Sequence, residues 1–165
     1  MTHREYIQQE AEKNMAFHME NMEGLQKESN TTLTFLFVVI STAFSAAVKL
    51  FSGHGSTALA TSLAILCVYL TGVAVYLVFT CLWARDVFAP ANEPKNLKIP
   101  EGYTFEQIQD FELENLQVRI ESNAGRNRKT AFHLNLVRLL ICGSPFVFLV
   151  AITFLWLAAG LCAAA

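Results

Sequence analysis

Apolar and polar positions divide the chain into long alternating segments. Apolar runs cover residues 32–51, 57–83 and 136–162, and polar segments precede the first run and separate the second from the third. Each run approaches or exceeds the ~20 residues that an α-helix needs to cross a bilayer core. The third run contains only Arg138 and two thiols as ionisable groups, whereas a helix in a soluble core would show a polar stripe. The pattern predicts three transmembrane helices.

The third run continues an amphipathic segment with no stop signal between them. Thr104 and Gln107 match a capping box, which places a helix start at Thr104. We therefore expect one helix from Thr104 to Cys162, half in water and half in lipid. Pro145 lacks a backbone donor, so a kink is expected at residues 143–145.

The first 30 residues predict a cytoplasmic amphipathic helix. Its apolar-leaning positions recur at spacings of three and four: Ile7, Ala11, Met15, His18, Met22 and Leu25. The helix is expected to loosen near Gly24 and to restart at the capping side chains of residues 29–32. The stripe suits packing on another cytoplasmic helix. The alternative, a membrane-surface anchor, is disfavoured because the polar face is acidic.

These segments predict an all-α, polytopic membrane protein. Its predicted parts are a cytoplasmic amphipathic helix (1–30), a transmembrane hairpin (31–83), a Pro-containing linker (84–103), a cytoplasmic helix (104–135) and a third transmembrane helix (136–163). The turn at 52–56 is short enough to require antiparallel spans. The linker holds three prolines and shows no periodicity, which indicates an extended segment.

Composition and charge support a membrane protein and give it an orientation. The chain is 53% hydrophobic and 16% charged, whereas soluble domains carry about 25% charged residues. Nearly all charges lie in residues 1–30 and 83–133. The first of these segments is not expected to be a secretory signal peptide, because it does not show the pattern of one. The basic residues in both segments predict that these segments lie in the cytoplasm, with the turn and the C terminus outside. The predicted location is the cell inner (plasma) membrane. Lys49, at the outer end of the first span, is an exception.

Two side-chain lines are candidate pore or oligomer-interface residues. The first is polar and precedes the third span, with Asn123, Asn127 and Thr130; the second is a stripe of small residues in the middle span, with Ala60, Ala64, Cys67 and Thr71. Buried amides set register between helices, and small residues allow close approach of helices in lipid. The alternatives are a water-filled vestibule or a solvated face for the first line, and packing inside one subunit for the second.

Transport through this protein would need several copies, because three spans cannot enclose an ion path. No span carries an Asp, Glu, Lys or Arg at mid-membrane. Proton-coupled pumps and secondary transporters usually carry such residues. The sequence therefore favours a homo-oligomeric channel over a proton-coupled pump or a secondary transporter.

The sequence does not predict an enzyme. The cysteines form no CxxC pair, the histidines are scattered, and neither a metal site nor a cofactor site is expected. One spacing, Arg128-x4-His133, is similar to the motif of HEPN ribonucleases, in which His and Arg of two subunits meet to cut RNA. Lys129 occupies the place where that motif usually has a polar residue. Contact with anionic lipid head groups explains the basic residues better, and no nucleic acid partner is expected; these residues are Arg126, Arg128, Lys129 and Arg138.

The layout resembles the small multi-helix transmembrane effectors of prokaryotic anti-phage defence. The resemblance covers the N-terminal helix, the tight hairpin and the segment IESNAGRNRKTAFHLNLVR before the last span. This group includes membrane proteins of CRISPR loci and of cyclic-nucleotide systems. It implies oligomerisation and permeabilisation or depolarisation of the inner membrane after a protein or nucleotide trigger. The chain departs from sensor-fused members because it has no separate nucleotide-binding domain.

Three functions remain open from the sequence. The first is a homo-oligomeric channel or pore-forming effector, with the asparagine line at its cytoplasmic vestibule. The second is a non-conducting membrane subunit whose cytoplasmic helices bind a partner protein. A holin-like phage protein is the third; holins generally lack so long a cytoplasmic helix and usually end in a basic tail.

Overall fold

The computed structural model describes residues 3–53, 56–83, 88 and 102–164. Its regular structure over these residues consists of helices α1 (His3–Ser52), α2 (Thr57–Leu77) and α3 (Phe105–Ala164), with a π-helical turn (Val78–Leu82) after α2. Each α-helix is long and apolar enough to cross a membrane. The predicted all-helical class with three candidate spans is confirmed. Most of the predicted linker, 84–87 and 89–101, lies outside the described residues, as do turn residues 54 and 55.

Helix α1 is continuous, so the predicted break near Gly24 and residues 29–32 is wrong. The side chains expected to cap a new helix bond inside the existing one. The hydroxyl of Thr31 donates to the Lys27 carbonyl oxygen at 2.9 Å, and that of Thr32 to the Glu28 carbonyl oxygen at 2.8 Å. Threonine hydroxyls that bond to the carbonyl four residues earlier leave the helix intact.

Helix α2 has a local start signal, and it ends in a π-turn that the sequence pattern did not predict. The Ser56 hydroxyl accepts a hydrogen bond from the Leu59 amide at 3.4 Å, an N-cap contact. At the other end, the Trp83 amide donates to the Val78 carbonyl oxygen at 2.8 Å, a five-residue step typical of a π-turn. The Trp83 ring stacks on Phe79 with centroids 5.2 Å apart.

Helix α3 confirms the prediction of one uninterrupted helix through both the polar and the apolar segment. The capping box is present: the Thr104 amide donates to Gln107 Oε1 at 2.9 Å, and the Gln107 amide donates to Thr104 Oγ1 at 3.3 Å. Pro145 lies inside α3. The ring removes one backbone donor from the helix, and the carbonyl that loses its partner belongs to Ile141.

The chain forms two compact units, and α1 and α3 contribute residues to both. Unit 1 comprises the described residues of Met1–Gln26 and Ala84–Ala131. Its core places Met15 of α1 against Leu116 and Ile120 of α3. The two helices run parallel here, because Arg4 pairs with Asp110 and Met15 contacts Asn123 further along both helices.

Unit 2 comprises the described residues of Lys27–Trp83 and Phe132–Ala165. The Tyr69 hydroxyl donates to the Leu140 carbonyl oxygen at 3.0 Å, and the Tyr76 hydroxyl lies 2.8 Å from His133 Nδ1. A step of seven residues forward in α2 is thus a step of seven backward in α3, so these helices are antiparallel. The apolar side chains buried here are Leu36, Ala47, Ala60, Cys67, Leu70, Val73, Ala74, Leu77, Leu134 and Val137.

Candidate functional site

The asparagine line forms a buried polar contact inside unit 1. Asn123 and Asn127 are only 3% and 9% exposed. The Asn127 amide donates to the His18 carbonyl oxygen at 2.7 Å, and the Asn123 amide donates to the Phe88 carbonyl oxygen at 3.3 Å. Neither side chain lies on a solvated face. In the single chain, both amides therefore hold α3 in register with its neighbours. Thr130, the third member of the line, is half-buried.

One acceptor in this contact has no partner among the described residues. Asn123 Oδ1 is buried without a hydrogen bond, while the Nδ2 of the same amide also contacts Met15 Sδ at 3.5 Å. Buried polar atoms are usually paired because an unpaired one costs about 1–3 kcal/mol. The Asn123 contact is thus weaker than the Asn127 contact beside it.

The small-residue stripe of α2 divides between the interior and the surface of unit 2. Ala60 and Cys67 are buried, Ala64 is half-buried and Thr71 is exposed. Cys67 Sγ donates to the Ile40 carbonyl oxygen of α1 at 3.7 Å. The inner part of the stripe therefore packs α2 on α1 within one chain. The outer part, at Thr71, is available to another molecule.

A second polar line runs along the exposed side of α1 in unit 2, and its members Ser41 and Ser45 already stand out in the sequence by their small-xxx-small spacing. We call it the hydroxyl stripe: Thr34, Ser41, Ser45 and Ser52, all exposed. Helical periodicity places it opposite the buried side chains Leu36 and Ala47. The seven- and four-residue spacings were the sequence signal for it. Within unit 2, this polar line therefore lies on the side of α1 away from the buried side chains.

The hydroxyls of this stripe keep acceptor capacity. Ser41 Oγ donates to the Phe37 carbonyl oxygen at 2.7 Å, and Ser52 Oγ donates to the Val48 carbonyl oxygen at 2.9 Å. Each oxygen uses its proton inside the helix and leaves its lone pairs outward. Lys49, exposed and on the same side of α1, adds a positive charge near the end of the stripe. This arrangement suits contact with water, an anion or another polar helix.

The two residues of the R-x4-H spacing belong to different units. His133 Nδ1 is engaged by the Tyr76 hydroxyl, and its ring makes edge contacts with Tyr76 and Phe132. Arg128 is exposed in unit 1. The structure of one chain therefore gives His133 a packing role in unit 2, and a meeting with Arg128 of another chain stays a prediction.

The other predicted lipid-contacting cations have varied surroundings. Lys129 is exposed, and Arg126 is half-buried. Arg138 Nη2 lies 2.7 Å from Glu28 Oε2, and Arg138 Nη1 donates to Asn135 Oδ1 at 3.4 Å. Arg138 is thus joined to α1 in addition to any head group that it meets.

An open groove of about 550 Å³ separates the start of α2 from the last turns of α3 in unit 2. It is lined by Ser56, Thr57, Ala58, Thr61, Leu155, Trp156, Ala158 and Ala159. None of these side chains titrates near neutral pH, so the groove offers no acid–base pair. Among the described residues, no group of three His, Cys, Asp or Glu side chains is placed to hold a metal ion.

Comparison with protein-family models, with curated proteins and with solved structures found no match.

Proposed function

We propose that this chain is the subunit of a homo-oligomeric channel or pore of the inner membrane. The apolar segments of the three helices insert as transmembrane spans, with residues 1–30 and 104–135 in the cytoplasm and the C terminus outside. The charge distribution supports this orientation through the positive-inside rule. Membrane lipid is the surrounding partner, and the exposed basic residue Lys129 meets anionic head groups.

The hydroxyl stripe carries the proposal. Exposed hydroxyls facing lipid gain nothing there, whereas hydroxyls facing a wet path replace part of the hydration of an ion. Ser41 and Ser45 lie on the side of α1 away from its intrachain contacts. Several copies around an axis would bring these sides together, and Lys49 at the outer end would favour anions. Lys49 is also the exception to the positive-inside rule, and a pore-facing position accounts for it.

The layout resemblance to anti-phage membrane effectors supports a triggered form of this activity. In that form, the oligomer permeabilises or depolarises the inner membrane once a protein or nucleotide signal reaches the cytoplasmic helices. A second candidate function is a non-conducting subunit that binds a partner protein. The exposed aromatic side chains of unit 1, such as Tyr103 and Phe105, favour that candidate.

The test combines sizing with conductance. The purified chain is sized in detergent by mass photometry, reconstituted into planar bilayers and dye-loaded liposomes, and compared with Ser41→Leu/Ser45→Leu and Lys49→Glu. Val68→Leu serves as the control, since Val68 is an exposed apolar residue of α2. We expect a discrete oligomer whose current is lost with the leucines and whose reversal potential moves toward cation preference with Lys49→Glu.

Two outcomes would overturn this function. A monomer or dimer with tight liposomes would favour the partner-binding subunit. A conducting oligomer whose current and ion preference ignore all three substitutions would remove the hydroxyl stripe from the pore wall.

A further inference from the structure

The cytoplasmic helices of unit 1 each have an outer face opposite their mutual contact. On α1, Met15 is buried against α3, while Phe17 is 57% exposed on the other side. On α3, Leu116 and Ile120 are buried against α1, while Val118 is 61% exposed. We define the α1 outer face as Tyr6, Lys13, Phe17 and Glu20, and the α3 outer face as Phe111, Val118, Glu121, Gly125 and Arg128, all exposed.

The contacts inside unit 1 set the relative height of the two helices. The contacts Arg4–Asp110, Met15–Asn123 and His18–Asn127 join residues separated by 106, 108 and 109 positions. A residue of α1 therefore lies at the height of the α3 residue about 108 positions later. This relation assigns a height to every residue of both outer faces.

At equal height, the two outer faces have opposite charges. Lys13 corresponds to Glu121, and Glu20 corresponds to Arg128, each pair separated by 108 positions in sequence. The order is positive then negative on α1, and negative then positive on α3, and the two charges are seven positions apart on each helix. Lys13 is cationic at neutral pH, as a lysine ordinarily is. A hydrogen bond of 2.7 Å to Glu10, together with the charge of that carboxylate, raises the pKa of Lys13 further.

Shape is complementary at the height between these charges. Phe17, a large exposed ring, corresponds to Gly125, again 108 positions later. A Cβ atom added to Gly125 would meet nothing within 4 Å among the described residues, so their packing does not require glycine there. Glycine in a helix interior costs about 0.5–1 kcal/mol relative to alanine. The bare backbone at Gly125 leaves room for a ring from another molecule.

We propose that the α1 outer face of one copy of this chain docks on the α3 outer face of the next copy. The inference rests on the proposed homo-oligomer in a membrane. Copies related by rotation about the membrane normal keep their heights, so the relation of 108 positions also applies between copies. The neighbouring chain then brings Lys13 to Glu121, Phe17 to Gly125 and Glu20 to Arg128.

The two faces are different, so the contact is heterologous. Each copy offers one face of each kind, and a head-to-tail arrangement closes into a ring when the rotation between copies divides a full turn. Opposite charges at matched positions select this arrangement over two identical faces, which would set Glu20 against Glu20 and Arg128 against Arg128.

Cysteine cross-linking of the full chain in membranes tests the contact. The native cysteines (Cys67, Cys81, Cys142 and Cys162) are replaced by alanine, and Phe17→Cys is combined with Gly125→Cys. Under mild oxidation we expect a ladder of covalent dimers, trimers and larger species, because each copy then bonds to two neighbours. Tyr6→Cys with Gly125→Cys is the control, since Tyr6 lies about three turns lower and a disulfide needs Cα atoms within ~7 Å.

The single variants distinguish the kinds of contact. Phe17→Cys alone and Gly125→Cys alone are expected to give no ladder and no dimer. Dimers from either single variant would mean a symmetric contact between identical faces and would overturn the proposal. Mass photometry of the same samples distinguishes a failure of this interface from a failure of the proposed homo-oligomer. An oligomer without the paired cross-link would rule out this interface only, whereas a monomer would rule out the homo-oligomer as well.

A charge exchange provides a test independent of the cysteines. Glu20→Arg should lower the oligomer fraction by about fivefold at low salt, the upper end for one exposed ion pair, and Glu20→Arg/Arg128→Glu should restore it. Glu12→Arg, at an exposed position on another side of α1, is the matched control and should leave the fraction unchanged. Failure of the double exchange to restore the oligomer, with Glu20→Arg disruptive, would assign Glu20 to a different partner.

Discussion

The Tyr69 hydroxyl donates a hydrogen bond to the Leu140 carbonyl oxygen at 3.0 Å, one residue before the carbonyl that Pro145 deprives of its helical donor. Helix-breaking prolines are tolerated in membranes when neighbouring helices supply new hydrogen bonds. Tyr69 therefore adds a hydrogen bond from α2 to α3 in the turn that Pro145 weakens.

Tyr69→Phe is expected to lower the stability of unit 2 by about 1 kcal/mol, the usual net value of one hydrogen bond. In a Pro145→Ala background, the cost should fall, because the restored amide would again donate to the Ile141 carbonyl oxygen and this turn of α3 would depend less on a neighbouring helix. Thermal unfolding in detergent measures both. Tyr6→Phe, an exposed tyrosine in unit 1, is the control. Equal costs in both backgrounds would show that Tyr69 acts independently of the proline.

Asn127→Leu should loosen the two helices of unit 1. The side chain is buried and donates to the His18 carbonyl oxygen at 2.7 Å, and the loss of such a bond costs about 1 kcal/mol. Hydrogen exchange should accelerate several-fold in residues 3–26 and 105–131. Asn115→Leu, on the exposed side of α3, should leave the exchange unchanged. Protection that stays constant in Asn127→Leu would mean that the Met15 cluster sets the register alone.

These contacts show what a sequence can and cannot predict. The capping box of Thr104 and Gln107 is local, and it was predicted correctly because both partners lie within four residues. The break in α1 was predicted wrongly, because Thr31 and Thr32 cap a helix as readily as they bond within one. The polar line at Asn123 and Asn127 was visible in the sequence, but its neighbour on α1 lies more than 100 positions away.

Glu28 and Arg138 make an ion pair at 2.7 Å, with both side chains about half exposed. Water screens such a pair, so Glu28→Gln should cost only about 0.2–1 kcal/mol. This loss of unfolding free energy should be smaller still at 1 M salt, where the Debye length is about 3 Å. Unfolding in detergent at low and high salt measures this, with Glu12→Gln as control and Glu28→Arg/Arg138→Glu as rescue. A salt-independent loss well above this range would indicate a pair shielded from solvent.

The proposed orientation is tested with single cysteines in the cysteine-free chain. Ser52→Cys lies beside the turn between α1 and α2, and Gln9→Cys lies near the start of α1; both positions are exposed. An impermeant maleimide added to spheroplasts should label Ser52→Cys at once and Gln9→Cys only after permeabilisation, because basic segments stay inside. The reverse order of labelling would invert the topology.

The π-turn at Val78–Leu82 has a consequence for how this chain can vary over evolution. Its five-residue hydrogen bond, from the Trp83 amide to the Val78 carbonyl oxygen, holds one more residue than an α-turn does. A single deletion there would restore the α-helical repeat and turn Trp83 by about 100° around the axis. The contacts of Tyr69 and Tyr76 lie upstream and would survive it. Length variation of one residue is thus tolerated at this end of the hairpin, whereas the same deletion inside α2 would shift every later contact with α3.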